Sequence, residues 1–397
     1  MKWPDLFITN VIRDICQLPV WWIASLHKRD SKTWVFGAWF GNSYSDNTKS
    51  MYEYVLTTHP EINAVWITKN KQVFDQLKAQ DMPVVFKGTK EARRICLKAG
   101  YVFITVTANE LETLYINGAK QVWLWHGMPL KKIGKDMNVL TNFKAKFHNI
   151  FPQNRYNRPD YFASTSHKWD SIFNQAFKIS QEQIVCGLPR NDRFFDKGKT
   201  PLIEEMDRKY NNPTKIIYMP TFRDNLYQNN EPFNPFHQFN FSIERFSNFL
   251  DEVNAVFFYK GHFYDILNRK LSKSTNDRLV LMNESMYDDL YSFIKDADIL
   301  ITDYSSIYFD FLLLKKPVIL APFDKEDYCN NSRSMYFDYD NEIEGIRAYD
   351  WNDVMNIVRE KKYYVPSQKT IDKFHKYQDG NSSKRITDYL LKKICVF

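Results

Sequence analysis

With 397 residues, 44% of them hydrophobic, the chain is long enough for two domains with cores of their own and too apolar for a disordered segment. Its net charge of +7 favours an anionic partner, which phosphate substrates, an acidic membrane surface and nucleic acid would all satisfy. The cysteines, Cys16, Cys96, Cys186, Cys329 and Cys395, are odd in number and scattered, with no CxxC pair, and read as reduced core thiols of a cytosolic protein rather than a disulfide framework or a metal site.

The chain opens without the basic, apolar and small-residue pattern of a secretory signal, and its apolar runs are too short to span a bilayer. Residues 6–29, "LFITNVIRDICQLPVWWIASLHKR", instead carry Leu6, Ile8, Val11, Ile12, Ile15, Val20, Trp21, Trp22, Ile23 and Leu26 around a few polar positions. Two readings fit. An interfacial helix would set the tryptophans at headgroup depth with Lys28 and Arg29 toward lipid phosphate. An ordinary amphipathic helix, broken at Pro19, would pack on the domain core.

From Thr33 onward, short apolar runs alternate with helical segments: "TWVFGAWFG", "MYEYVLTTHP", "INAVWITKN", "PVVFKGT", "EARRICLKAG", "YVFITVT" and "QVWLWHG". Near-continuous apolar strands in such an alternation predict a parallel sheet covered on both faces. The pattern restarts after "VCGLPRND" with "TKIIYMPT", "AVFFYKGH", "RLVLMN", "DILITDYSS" and "VILAP", which predicts a second α/β half. The Gly-Leu-Pro turn and the polar stretch after it place the boundary near residues 187–200. The expected division is 1–30 for the amphipathic segment, 31–195 for an N-terminal Rossmann-like domain and 196–397 for a C-terminal one. The last helix is free in this reading to return to the first half. Two facing halves of this kind place a ligand cleft at the carboxyl ends of both sheets.

Four strand ends carry the residues suited to chemistry there. In "VWLWHGMPLKK", His126 stands where a strand leaves the sheet, Gly127 permits unusual backbone angles and Pro129 fixes the next turn. An imidazole so placed suits general-base work on a hydroxyl, whereas Lys131 and Lys132 read equally as a solvated helix start. In "IIYMPTFRDN", Pro220 ends a strand and presents Thr221 and Arg223. A guanidinium there grips a phosphate in fork geometry, or pairs with Asp224 or another carboxylate. "FFYKGHF" repeats the arrangement with Lys260 and His262, the histidine being either a diphosphate contact or an ordinary capping residue. In "DILITDYSSIYFDFLLLKKPVIL", a strand runs through Thr302 into Asp303, Tyr304, Ser305 and Ser306 at a helix start, where free N–H groups and hydroxyls suit a phosphate and where simple capping is the bland alternative. Asp310, set among Phe309 and Phe311, needs a polar partner. The P-loop, the GxGxxG after the first strand, HExxH and GxSxG are absent, which weighs against kinases, dehydrogenases and serine hydrolases. No recognisable nucleic-acid motif accompanies the interspersed charges.

Taken in order, these motifs resemble the CDP-glycerol glycerophosphotransferase family, whose members build teichoic acid and related capsule chains. The likeness runs through "WVFGAWFGNSYSDNTKSMYEYV", "VWLWHGMPLKKIG", "VCGLPRND", "YMPTFRDN", "YKGHF" and "TDYSSIYFDF". The resemblance implies a GT-B-like architecture attached peripherally to the cytoplasmic face of the cell membrane. It further implies transfer of glycerol phosphate, or a related polyol phosphate, from CDP-glycerol to a hydroxyl of a lipid-linked saccharide or polyol-phosphate acceptor, with release of CMP. His126 would be the base and His262 a second catalytic group. Thr221, Arg223, Lys260, His262, Thr302, Asp303, Ser305 and Ser306 would hold the donor, and Asp46, Asn47, Gly127, Pro129 and Lys131 would line the acceptor side. No metal and no cofactor beyond the donor is expected, no nucleic acid partner, and a homo-oligomer stays open. Met128 departs from the family in standing where a small residue, commonly Thr, is usual, and the chain is shorter than the family's long polymerases. A GT-B glycosyltransferase using a nucleotide-sugar donor is the enzyme alternative, and a non-catalytic nucleotide-sugar or membrane-binding module the alternative from another class.

Overall fold

The computed structural model describes residues 3–137, 150–152, 159–177, 182–221, 223, 234–236, 238–261, 276–283, 286, 289–331 and 334–394. His262, Asp224 and Cys395 lie outside the described residues, and of the other cysteines Cys96 and Cys186 are core thiols as expected, whereas Cys16 and Cys329 are exposed. The chain forms two compact units, the first made of Met1–His126, Asn138–Asp192 and Asp379–Phe397, the second of Gly127–Met137 and Arg193–Gln378.

In the first unit, β1 (Asp30–Phe36), β2 (Asn63–Thr68), β3 (Val84–Phe86), β4 (Ala99–Ile104), β5 (Lys120–Trp123), β6 (Tyr161–Ser164) and β7 (Glu182–Val185) form a parallel sheet in the order β3-β2-β1-β4-β5-β6-β7. β2 is buried at every residue after its first, and β4 throughout, as a sheet covered on both faces requires. Trp34, Phe36, Tyr52, Trp66 and Phe103 fill one face, with the Phe36 and Phe103 rings stacked at 4.4 Å. The chain reverses direction across the sheet between β1 and β4, so their carboxyl ends bound a crevice.

The final helix, Ser382–Ile394, belongs to this unit and packs Ile386 and Leu390 into its core. Its first turn is capped by Asp192, which accepts the Ser382 and Ser383 N–H groups and the Ser383 hydroxyl, each at 2.8 Å. Gly187 (φ +90°) passes so close to Ser382 that a Cβ there would collide with its hydroxyl. The "VCGLPRND" stretch is therefore more than a boundary turn.

The amino-terminal helix runs continuously over Trp3–Ser25 with Pro19 inside it, whereas the docked-helix reading broke it there. Arg29 does not reach outward as the interfacial reading had it. Its guanidinium donates to the carbonyls of Cys96 (2.7 Å), Tyr115 (3.2 Å), Ala24 and Asn117, tying the helix end to the domain. Lys28 is exposed. No helix among the described residues is long and apolar enough to cross a membrane.

The second unit holds another parallel sheet, β8 (Thr214–Met219), β9 (Ala255–Tyr259), β10 (Leu279–Leu281), β11 (Ile299–Thr302), β12 (Val318–Leu320) and β13 (Ile346–Arg347), in the order β10-β9-β8-β11-β12-β13. Tyr218, Phe236, Phe246, Phe257 and Trp351 form its aromatic core. The direction of winding reverses between β8 and β11. The "GMPLKKIG" segment belongs here rather than to the first domain, where the sequence reading put it, because Lys131 forms an antiparallel bridge with Met335. The Lys132 N–H donates to the Ser334 carbonyl at 2.8 Å, and the Tyr336 hydroxyl donates to Asp136 at 2.6 Å. Residues 131 and 132 thus do not start a helix.

Candidate active site

At the β1/β4 crevice of the first unit, β5 ends at Trp123 and two further residues carry the chain to His126. Trp125 takes a positive φ of 56°, an uncommon angle for a bulky residue and one that redirects the chain before the imidazole. The ring lies between Trp125 (4.1 Å between centroids) and Trp39 (5.2 Å). The residue is half-buried, and Nδ1 is closed to solvent and meets no hydrogen-bond partner among the described residues. Burial pulls the His126 pKa down to about 4, with the Arg190 charge acting in the same direction and Asp46 and the Thr105 backbone opposing. The imidazole is consequently neutral at physiological pH.

Asp46 and Asn47 begin the helix Asp46–Thr58 beside it. Asp46, at φ 68°, accepts Trp39 Nε1 at 3.2 Å and the Arg190 guanidinium at 2.8 Å. Asn47 is fully buried. It donates to the Leu124 (3.3 Å) and Trp125 (2.8 Å) carbonyls and accepts the Arg190 N–H at 3.1 Å. Asn47 is therefore part of the frame around His126 and is sealed from a ligand, contrary to its expected acceptor contact. The fully buried Glu110 accepts the N–H groups of Thr105 (2.8 Å), Val106 (2.6 Å) and Thr107 (3.2 Å), shaping the loop after β4. Burial raises its pKa to about 7 against those bonds, with Asp46 adding to the rise.

At the β8/β11 edge of the second unit, Asp303 joins two strand ends. Its Oδ1 accepts the N–H groups of Thr221 (2.7 Å) and Tyr304 (2.6 Å), and its Oδ2 accepts the Arg223 guanidinium at 2.7 Å. Asp324, after β12, takes two more bonds from Arg223, both 2.8 Å. Arg223 is thus committed to a buried pair of carboxylates, the alternative that the sequence left open, with Asp303 and Asp324 as the partners. Burial opposes its charge, but those two carboxylates outweigh it and raise the pKa well above the ordinary arginine value. Thr302 donates its hydroxyl to the Met219 carbonyl at 2.8 Å.

Ser306 is the N-cap of the short helix Ile307–Phe311 without a capping side-chain bond, and Ser305 Oγ receives only a long contact from the Ile307 N–H at 3.5 Å. Both serines are half-buried at the strand end. Thr221 Oγ1 and the Tyr304 hydroxyl are buried without a hydrogen-bond partner among the described residues, which suits a polar ligand at this edge. Lys260 follows the adjacent strand β9, its N–H bonded to the Tyr218 carbonyl at 3.0 Å. Asp310 finds its partner in the Tyr291 hydroxyl at 2.8 Å.

Gly127, Pro129 and Lys131, expected on the acceptor side, lie in the second unit. Lys131 Nζ sits 5.8 Å above the Tyr328 ring, which stacks on Tyr304 at 4.2 Å and carries the Arg223 guanidinium at 4.7 Å. That places Lys131 beside Tyr304 and Arg223 rather than with the residues around His126. Sequence reasoning missed Trp39, Glu110, Arg190 and Asp324. The signal for Arg190 was available in the arginine of "VCGLPRND", which has no role in a bare turn. Among the described residues no group of three His, Cys, Asp or Glu is arranged to hold a metal ion.

A sequence model of the family described as CDP-Glycerol:Poly(glycerophosphate) glycerophosphotransferase matches residues 21–392. The chain is similar to the teichoic acid glycerol-phosphate transferase of Staphylococcus aureus, 30% identical over 386 residues that cover 90% of this chain and 92% of the relative. It is similar also to the teichoic acid poly(glycerol phosphate) polymerase of Bacillus subtilis, 27% identical over 91% of this chain and 49% of the polymerase. Among solved structures, a variant of the wall teichoic acid polymerase TagF soaked with CDPG shares the fold, with a TM-score of 0.73, 23% identity and 98% of each chain covered. By the span of the family match, the chain belongs to the CDP-glycerol:poly(glycerophosphate) glycerophosphotransferases.

Proposed function

We propose that this enzyme transfers glycerol phosphate from CDP-glycerol to a hydroxyl of a lipid-linked or polymeric acceptor in teichoic acid synthesis, releasing CMP. The observation that carries the reading is His126, a neutral imidazole held at a strand end by aromatic walls and a hydrogen-bonded frame. It takes the proton of the acceptor hydroxyl as that oxygen attacks the phosphorus bearing glycerol. The bond from this phosphorus to the bridging oxygen breaks, and the electron pair leaves with CMP. An anionic acceptor beside the ring adds negative charge and draws its proton affinity back toward neutrality, where a general base works best.

In the donor half, Thr221, Lys131, Lys260, Ser305 and Ser306 supply hydroxyl, ammonium and N–H donors to the diphosphate. His262 contributes from the sequence argument alone. Arg223 and Asp303 position the two strand ends instead of contacting phosphate. Transfer of this kind depends on orientation and on neutralising phosphoryl oxygens, for which such donors suffice without a covalent nucleophile.

The membrane reading rests on the amino-terminal helix, where Ile12 (56% exposed), Ile15 (53%), Trp22 (70%), Ile23 (67%) and Leu26 (84%) leave an apolar stripe in solvent. Such a stripe suits peripheral attachment to an anionic leaflet. Sedimentation with anionic vesicles tests it: Trp22→Asp with Leu26→Asp should release the protein, and full retention would remove the stripe as the anchor. The reaction itself is tested by incubating the protein with CDP-glycerol and a lipid-linked disaccharide analogue. CMP and an acceptor heavier by one glycerol phosphate support it, whereas CDP as the nucleotide product would mark a glycosyl transfer.

A further inference from the structure

Arg190 lies in the 3-10 helical segment Pro189–Phe195 after β7, far from His126 in sequence, yet its charge acts on the imidazole. Two chains of contacts also run from it to that ring. Through its side chain it meets Asp46 at 2.8 Å in an ion pair whose members are each only 7% exposed. Asp46 in turn holds Trp39 Nε1, and the Trp39 ring forms one wall of the imidazole site. Through its backbone N–H, Arg190 orients the Asn47 carboxamide, whose amino group fixes the Leu124 and Trp125 carbonyls, the two residues that lead directly into His126.

We propose that Arg190 is a positioning residue for the transfer reaction: it offsets the Asp46 charge beside His126 and, through Asn47, fixes the chain that carries the imidazole. The inference rests on the reading of His126 as the base. Among the described residues, the charged groups acting on the ring are Asp46, at the start of its helix, and Arg190, in the segment after β7; the loop after β4 contributes the uncharged Thr105, and Glu110 acts on Asp46 rather than on the ring. Without Arg190, Asp46 would stand alone against the imidazole and favour its protonated form, which cannot accept a proton. Burial of the pair makes this coupling stronger than a surface contact would be.

Two readouts separate this role from a merely structural one: the acid limb of the kcat/KM profile, and the titration of the His126 ring followed by NMR on carbon-13-labelled histidine. The His126→Gln variant identifies the signal. Arg190→Gln should move both midpoints upward by about one pH unit or more, Arg190→Lys should hold them near the wild type, and Asp46→Asn should move them downward. The double variant Arg190→Gln with Asp46→Asn leaves neither charge buried alone, and its ring should titrate above that of Asp46→Asn. This comparison decides the matter even if Arg190→Gln fails to fold. An Arg190→Gln variant that loses activity with the ring titration unmoved, or a double variant titrating with Asp46→Asn, would overturn the proposal. Full turnover in His126→Gln would instead remove the base reading, while the ring titrations would still report on Arg190.

Discussion

Replacing Arg223 by Gln should unlock the donor half by a defined amount. The guanidinium is 7% exposed and the side chains of its two carboxylate partners are each 1% exposed, so the substitution leaves two buried negative charges facing each other with their shared cation removed. Breaking such a pair costs about 3–5 kcal/mol, far more than the loss of a surface salt bridge. Asp303 also accepts the Thr221 N–H, so its displacement loosens the end of β8 together with the start of the Ser305–Ser306 turn. Hydrogen exchange of the β8 and β11 amides reads the local loss, and CDP-glycerol saturation reads its effect on the donor. Adding Asp324→Asn to Arg223→Gln should recover part of the stability, because one of the two buried negative charges is gone. Equal protection in wild type and Arg223→Gln, or a double variant that loses the sum of the two single losses, would refute this reasoning.

The depressed proton affinity of His126 links stability to pH. Its folded value of about 4 lies below the ordinary 6.5, so the unfolded chain binds the proton more readily. The stability tied to the neutral ring is therefore present in full above about pH 6.5 and is lost as the pH falls from there toward 4. Between pH 7 and pH 5 this amounts to at most about 2 kcal/mol, and a His126→Gln variant should lack that part of the slope in denaturant titrations; identical slopes would contradict the burial argument. Gly187→Ala should cost about 1–2 kcal/mol through its left-handed angle, and more if Ser382 cannot yield. Asp192→Ala should cost about 1–2 kcal/mol and speed proteolytic release of the last helix, and cleavage unchanged from wild type would show that this cap holds nothing.

The alternation of apolar strands with helices gave both parallel sheets in the sequence, because strands covered on both faces leave an unmistakable apolar run. Strand ends were nearly as legible: Thr302 closes β11, Ser306 stands immediately before the following helix, and His126 follows β5 closely. What the sequence hid were the partners that close each site from a distance. Asp324 reaches Arg223 from beyond β12, and Arg190 reaches Asp46 from the segment after β7, pairings set by strand order rather than by any local pattern. The placement of Gly127–Met137 with the second unit was hidden for the same reason, since it depends on an antiparallel bridge to Met335 that no periodicity announces. Arg29, a lipid contact only in the interfacial of the two readings, satisfies carbonyls at a helix end.

Nucleotide product analysis with CDP-glycerol and a lipid-linked acceptor analogue, run side by side on wild type and His126→Gln, tests the reaction and its base together. Transfer with His126 as the base requires stoichiometric CMP and glycerol phosphate addition with the wild type, and their loss in a variant that stays folded and still binds the donor. Equal CMP release by the two proteins would contradict it.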